Sequence, residues 1–578
     1  MTYGILFDKI YNILYGKVDR KNMKKIFSLI LTLIMLFTVA VPAVHAAETT
    51  EEITPVIFLR GNGEDIRYEN GAGELVLDEI DQVLGNVVFE KEGFMRELTN
   101  ILIPFVTKGL PKDEWDECRK AIYTAISPFF DQCIMDGDGN PRLGTTISVE
   151  AQRNNANPDV RYAYDVGNFY FHYDWRRDPY DNAKLLNEFV DIVLEKTGKT
   201  QVSFVSRCMG GTLLNAYIEM YGKDGKIKNA LYGDTLGGGS TVLSKLFAGK
   251  IEVDGKNTQR YLGQLEYCAE IEQGIGFALP ELLDEIVTTT LDLFTQVNVT
   301  DVLGDRIEDL YNELLVMIFP ALMHATGYAS TPNYWACVRE EDFDEAILLM
   351  FGEEGSEARE YYAGLIEKIT YYRDHVTSKG NNFIKEMGAY AHIGSVAKYG
   401  FLNMPLIEDN DIHSDALASL EHATFGSTVA KVGSTLSDDY IAARVAEGKG
   451  KYISADKVVD TSTSVIKDTT WVFKNAHHNH SDMVFDIANV FCKGTGVTVE
   501  NSGFARFNMY DIATNKWTEM TQDNCDVELE FMTRAEKEPT LMTKLVAGLR
   551  FLTMVFKLLA KVISGEISFD AFNKVLGK

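Results

Sequence analysis

The chain has 578 residues with ordinary apolar and charged fractions and a net charge of −28, enough for one large domain with insertions or for two to three domains. So acidic a protein, with no long Lys/Arg run to offset it, is not built to hold nucleic acid. Seven cysteines without metal-ligand spacing exclude a zinc-ribbon or similar framework, and in an exported chain an odd count leaves at least one thiol unpaired.

Residues 1–46 read as an upstream extension and a signal peptide. Lys24 and Lys25 precede the apolar run 26–41, and Val44-His-Ala46 supplies small residues for cleavage. The expected localisation is therefore secreted or cell-surface. A first core segment, 47–240, opens with Pro55-Val-Ile-Phe-Leu-Arg-Gly-Asn-Gly63, a buried-strand run ending in glycines. Residues 75–130 read as helical. Asp136-Gly-Asp-Gly-Asn140 begins like a calcium loop, but Pro141 and Ile147 stand where such a loop needs glycine and glutamate; a polar turn is expected. A strand-like stretch, 160–175, leads into an amphipathic helix over 185–194 that Gly198 ends.

The stretch Gln201-Val-Ser-Phe-Val-Ser-Arg-Cys-Met-Gly-Gly211 then predicts a strand, a tight turn and, from the apolar spacing of Leu213, Leu214, Tyr217 and Ile218, a helix. Ser206-x-Cys208-x-Gly210 follows the G-x-S-x-G spelling of a nucleophile elbow, with a thiol in the serine's place. A helix N-terminus just beyond favours a thiolate. In such an elbow the oxyanion is held by the N–H of the following residue, Met209, and by one from the loop after the first strand, at Gly61, Asn62 or Gly63. Another strand, 227–232, precedes Gly233-Asp-Thr-Leu-Gly-Gly-Gly-Ser240.

Strands alternating with helices predict a mostly parallel sheet with helices on both faces. Residues 241–385 break the alternation and read as a helical cap or lid insertion, of the kind that excludes water and shapes an apolar acyl pocket. The core resumes over 386–515. Its strand 470–474 runs into Asn475-Ala-His-His-Asn-His480, and a histidine just past a strand end suits a general base. Three near-adjacent histidines on a short loop do not readily converge on one ion, so no metal is expected there. Residues 516–578 form a C-terminal tail. Within it 541–563 is basic and amphipathic, suited to an anionic membrane surface or to docking on the acidic body or a second subunit.

These segments together resemble the lecithin:cholesterol acyltransferase and lipase-like branch of the α/β-hydrolases. The resemblance rests on Tyr173-Asp-Trp-Arg176, the elbow, the stretch 233–240, Asp456-Lys-Val-Val459 and His480-Ser-Asp-Met-Val-Phe485, and spans about residues 55–240 and 390–485. It implies an α/β-hydrolase fold and a triad of Cys208 as nucleophile, His480 as base and Asp456 as acid. His477 and His478, and Asp415 and Asp460, stand as alternatives. The sequence departs from the family at Cys208, where serine is usual, and at Lys457, where glycine is. The implied activity is hydrolysis or acyl transfer on lipid-like carboxylic esters through a thioester, without a cofactor. A cysteine-dependent thioesterase or amidase, or a catalytically inactive binding protein on the same scaffold, are the alternatives.

Overall fold

The structure is a computed structural model. It describes residues 54–61, most of 115–142, 168–252 and nearly all of 305–533, with scattered short pieces between. The leader, Asn62, Gly63 and the basic stretch 541–563 lie outside the described residues.

The centre is an eight-stranded sheet. Its strands in chain order are β1 (Val56–Leu59), β2 (Asn168–Tyr170), β3 (Val202–Cys208), β4 (Ile227–Thr235), β5 (His392–Tyr399), β6 (Thr470–Lys474), β7 (Phe507–Asp511) and β8 (Lys516–Glu519). Across the sheet they run β2-β1-β3-β4-β5-β6-β7-β8, every pair parallel except the last. Strands buried on both faces read as unbroken apolar runs, which is why β1 is legible; every residue of β1 and of β3 is buried. Ile57 and Leu59 join one core cluster and Val56 and Phe58 the other, on the opposite face of the sheet.

The expected α/β fold is what forms. Helix α1 (Pro179–Thr197) starts where the Asp178 carboxylate accepts the Tyr180 N–H, with proline in the first turn, and ends at Gly198 in the left-handed region. Helix α2 (Gly210–Tyr221) packs beside α1 in the same core, and helix α3 (Asp482–Phe491) lies in the cluster of the other face.

Two boundaries differ from expectation. Leu75–Leu77, expected as helical, is a strand piece in a small antiparallel sheet with Tyr68–Glu69 and Thr146–Ile147. Strand β8 pairs with β7 through Asn508–Glu519 and its neighbours, so the sheet continues past residue 515 into the segment expected as tail. The insertion between β4 and β5 is helical where described, and one of its short helices, Pro332–Trp335, reaches the core: Asn333 accepts a hydrogen bond from Thr212 at 2.5 Å and donates one to the Trp175 carbonyl at 2.8 Å. Asp136–Asn140 is the expected polar turn, its first carboxylate accepting the N–H groups of Asp138 and Asn140.

Candidate active site

In an open parallel sheet, ligands bind beyond the carboxyl ends of the strands where the chain reverses its direction of growth. Here the chain leaves β1 for β2 on one side and returns to β3 on the other, so the crevice lies between the ends of β1 and β3. Those ends are Gly61 and Cys208.

Cys208 is the last residue of β3 and has φ of 50°, a conformation that costs a non-glycine residue about 1–3 kcal/mol. The register opens there: Arg207 pairs with Gly233 and Cys208 with Thr235, leaving Asp234 between them with φ of 47°. The Leu236 N–H bonds the Cys208 carbonyl at 3.0 Å and closes the turn. The two glycines after it are required by space. A β carbon on Gly210 would stand 2.3 Å from the Leu59 carbonyl oxygen, and one on Gly211 2.0 Å from the Thr235 hydroxyl. Only a bare backbone lets α2 leave the elbow so close to β1 and β4.

Gly61 lies against the nucleophile. A β carbon there would be 2.6 Å from Cys208 Cβ, 2.9 Å from its Sγ and 3.0 Å from the Met209 nitrogen. The loop after β1 and the N–H of Met209 thus flank the thiol from two sides, the arrangement an oxyanion hole needs. Of the candidates for the first donor, Gly61 is the one within the described residues, and it lies against Cys208.

The histidine that meets the thiol is His478. Its Nδ1 is 2.8 Å from Asp415 Oδ2, and the Cys208 thiol is near enough to the ring to help push the imidazole pKa up. His478 also donates its backbone N–H to the Asp415 carbonyl at 2.8 Å. Asp415 is aimed by its own loop: Oδ1 accepts the N–H groups of Leu417 and Ala418 at 2.9 and 2.7 Å, which leaves Oδ2 for the imidazole. Both side chains are almost wholly buried. Burial by itself would push the Asp415 carboxyl up, but the facing imidazole and its hydrogen bond outweigh it and hold the carboxyl below its usual range. For His478, burial pulls down while Asp415 and the Cys208 thiol together push up, and the net shift is upward. An imidazole held by a buried carboxylate is stabilised as imidazolium.

The residues placed first from sequence, His480 and Asp456, do not meet. Asp456 is occupied: Tyr399 and Ser454 donate hydroxyls to it at 2.6 Å each, the Val458 N–H at 3.2 Å, and Lys474 pairs with it at 3.1 Å. It closes its own turn, in which Lys457 takes φ of 61° at the position where the family has glycine. Asp460 is likewise taken, by Tyr440, Ser462 and Arg444. The His480 ring lies 5.3 Å from that of Tyr510 with its Nδ1 buried and unpartnered, and burial holds its pKa down at about 4. His477 packs edge-on to Phe401 and burial lowers its pKa to about 3.

Cys208–His478–Asp415 was therefore within the sequence candidates but not ranked first. Both acid candidates lie on the excursion between β5 and β6, Asp415 directly after the short strand His413–Ser414 that pairs with Phe401–Leu402, and both histidines lie on the loop after β6, so position along the chain did not separate them. The six described cysteines, Cys118 and Cys133 among them, are all free thiols.

The topology with its elbow defines an α/β-hydrolase fold. Neither the known protein-family models nor the curated proteins contain a match to this chain. A solved structure that is similar is the crystal structure of the Tle4–Tli4 complex, with 10% sequence identity over 60% of this chain and 75% of that one, at a TM-score of 0.24.

Proposed function

We propose that the protein is an exported hydrolase or acyltransferase that works on lipid-like carboxylic esters through a thioester on Cys208. One observation carries this reading: the thiol sits on a strained elbow between Gly61 and the Met209 N–H, with His478 and Asp415 lined up behind it.

The chemistry follows from that line. His478 takes the thiol proton at Nε2, and the thiolate attacks the ester carbonyl carbon. The oxyanion that forms accepts hydrogen bonds from the Met209 N–H and from the loop at Gly61, while the N-terminus of α2 favours the negative charge. Collapse breaks the ester C–O bond, and the leaving alkoxide takes the proton from His478. Water or an alcohol then attacks the thioester, loses its proton to His478 and returns the thiol to Cys208 as the product leaves. Asp415 stays ionised, holding the Nδ1–H tautomer and stabilising the imidazolium. The lipid-like substrate class is supported by the acyltransferase-like segments around Tyr173–Arg176 and 233–240.

The test uses the purified chain on matched esters, thioesters and amides of short and long acyl groups, with intact-mass detection of the acyl-enzyme. The reading predicts ester turnover, a mass increase equal to one acyl group on Cys208, and loss of both in Cys208→Ala and in His478→Ala. Turnover that survives Cys208→Ala ends it. A folded chain that neither turns over any of these substrates nor reacts with iodoacetamide at Cys208 is a binding protein on a hydrolase scaffold instead.

A further inference from the structure

The loop that carries His478 has backbone carbonyls of His477, His478 and His480 converging on one place near the carboxyl ends of the central strands. Carbonyl oxygens that converge repel one another unless a cation sits among them. Two buried cations do. The Lys398 ammonium, at the end of β5 and fully buried, donates to the His477 carbonyl at 3.2 Å, to that of His478 at 3.4 Å and to that of His480. The Arg207 guanidinium, next to the nucleophile on β3, donates to the His478 carbonyl at 2.7 Å. Both cations also meet one carboxylate oxygen, Asp234 Oδ2, at 2.8 Å from Lys398 and 3.2 Å from Arg207. Asp234 stands between them on β4, and it turns inward because it is the residue left over where the register opens beside Cys208.

From this we infer that Arg207, Asp234 and Lys398 are positioning residues: a buried charge cluster spanning three strands that fixes the histidine loop, and so His478 Nε2, relative to Cys208. The inference rests on the Cys208–His478–Asp415 reading above. Its logic is mechanical. Asp234 and Arg207 belong to the same register opening that carries the thiol, so nucleophile and base are tied to one piece of backbone geometry. Loss of the ammonium leaves three carbonyls and a carboxylate facing one another with one cation gone, and the loop relaxes outward. A displacement of about 1 Å at a reacting group costs about 100-fold in rate. No atom of the cluster reaches the reacting bond, so substrate affinity is untouched.

Lys398→Met and Lys398→Arg, made in the full chain, test this. Each is checked by circular dichroism and thermal melting, then measured for kcat and KM on a chromogenic ester. The rate of Cys208 alkylation by iodoacetamide is followed from pH 5 to 9. The expected result for Lys398→Met is a kcat lower by about 100-fold with KM within threefold, and an alkylation profile shifted toward that of His478→Ala. Lys398→Arg, which restores the charge and its donors, recovers at least tenfold of the loss. If Lys398→Met does not fold, Arg207→Lys, which keeps the charge but offers one nitrogen to two partners, is read the same way. A folded Lys398→Met with kcat and alkylation profile unchanged overturns the inference while His478→Ala remains inactive. Activity that survives in His478→Ala overturns the triad reading itself, and the two failures are therefore separable.

Discussion

Gly61→Ala tests the site with one methyl group. The new carbon would lie 2.6 Å from Cys208 Cβ and 2.9 Å from Sγ, whereas carbon atoms in contact settle at about 3.5–4.0 Å. One side must move by about 1 Å, which alone costs about 100-fold if the thiol is displaced from its line of attack. The methyl would also stand 3.0 Å from the Met209 nitrogen, in the space where an oxyanion would accept its hydrogen. Loss of one such donor costs about 2.7–4 kcal/mol, or 10²–10³ in kcat. Both effects act through the same few atoms and do not add, so a fall of 10²–10³ in kcat is expected. Gly61 lies just past β1 and is not among the positive-φ glycines, so no backbone strain is added, but crowding this buried site lowers stability by about 1–3 kcal/mol. Steady-state kinetics on a chromogenic ester and a thermal melt decide it. A Gly61→Ala protein with kcat within threefold of wild type and an unchanged melt would refute the placement of the oxyanion hole at the end of β1.

Asp415→Asn should lower kcat by about 10³–10⁴ by holding the imidazole in the wrong tautomer, while Asp456→Asn leaves kcat within a few-fold and lowers stability, because it strands Lys474 in a buried pair, a loss of about 3–5 kcal/mol; kinetics and urea melts on the two variants separate the roles, and the reverse pattern would restore Asp456 as the acid. His480→Gln should keep kcat within a few-fold where His478→Gln does not, since only His478 faces both Cys208 and Asp415. In native protein, iodoacetamide should modify Cys208 before Cys337 or Cys492, whose thiols burial pushes up; peptide mapping after limited alkylation reads the order. Stability should fall as pH drops from about 6.5 to 5. Burial depresses His413, His477 and His480 to about 4, 3 and 4, so the unfolded chain takes up protons there that the folded chain refuses. Over that window His478 and Asp415 contribute a constant amount. His478, with its raised pKa, is fully stabilising below about 6.5, and Asp415, with its lowered one, above about 3.9. Asp178 and Asp486, raised by burial, work the other way but are outnumbered. A urea midpoint that rises on acidification would contradict the burial of these imidazoles.

What the sequence by itself determined is local. The apolar run of β1 announces a strand buried on both faces, Gly198 ends α1, and the spelling around Cys208 announces the elbow, because a tight strand–turn–helix tolerates only small residues at Gly210 and Gly211. The alternation of such units was enough for a parallel sheet between layers of helix. Met209 was also legible, since it follows its strand end, and the first oxyanion donor was narrowed to Gly61, Asn62 or Gly63. The base and acid were not. His478 and His480 are two residues apart on one loop, and which ring faces the thiol depends on how that loop is held. Arg207 and Lys398, from two other strands, hold it by its carbonyls. Asp456 has the family-like valine three residues on, yet its oxygens are taken by Tyr399, Ser454 and Lys474, while the Leu417 and Ala418 N–H groups leave one oxygen of Asp415 open toward His478. A carboxylate can serve a distant histidine only if its nearer neighbours leave it a free lone pair, and which neighbours those are is decided by tertiary contact.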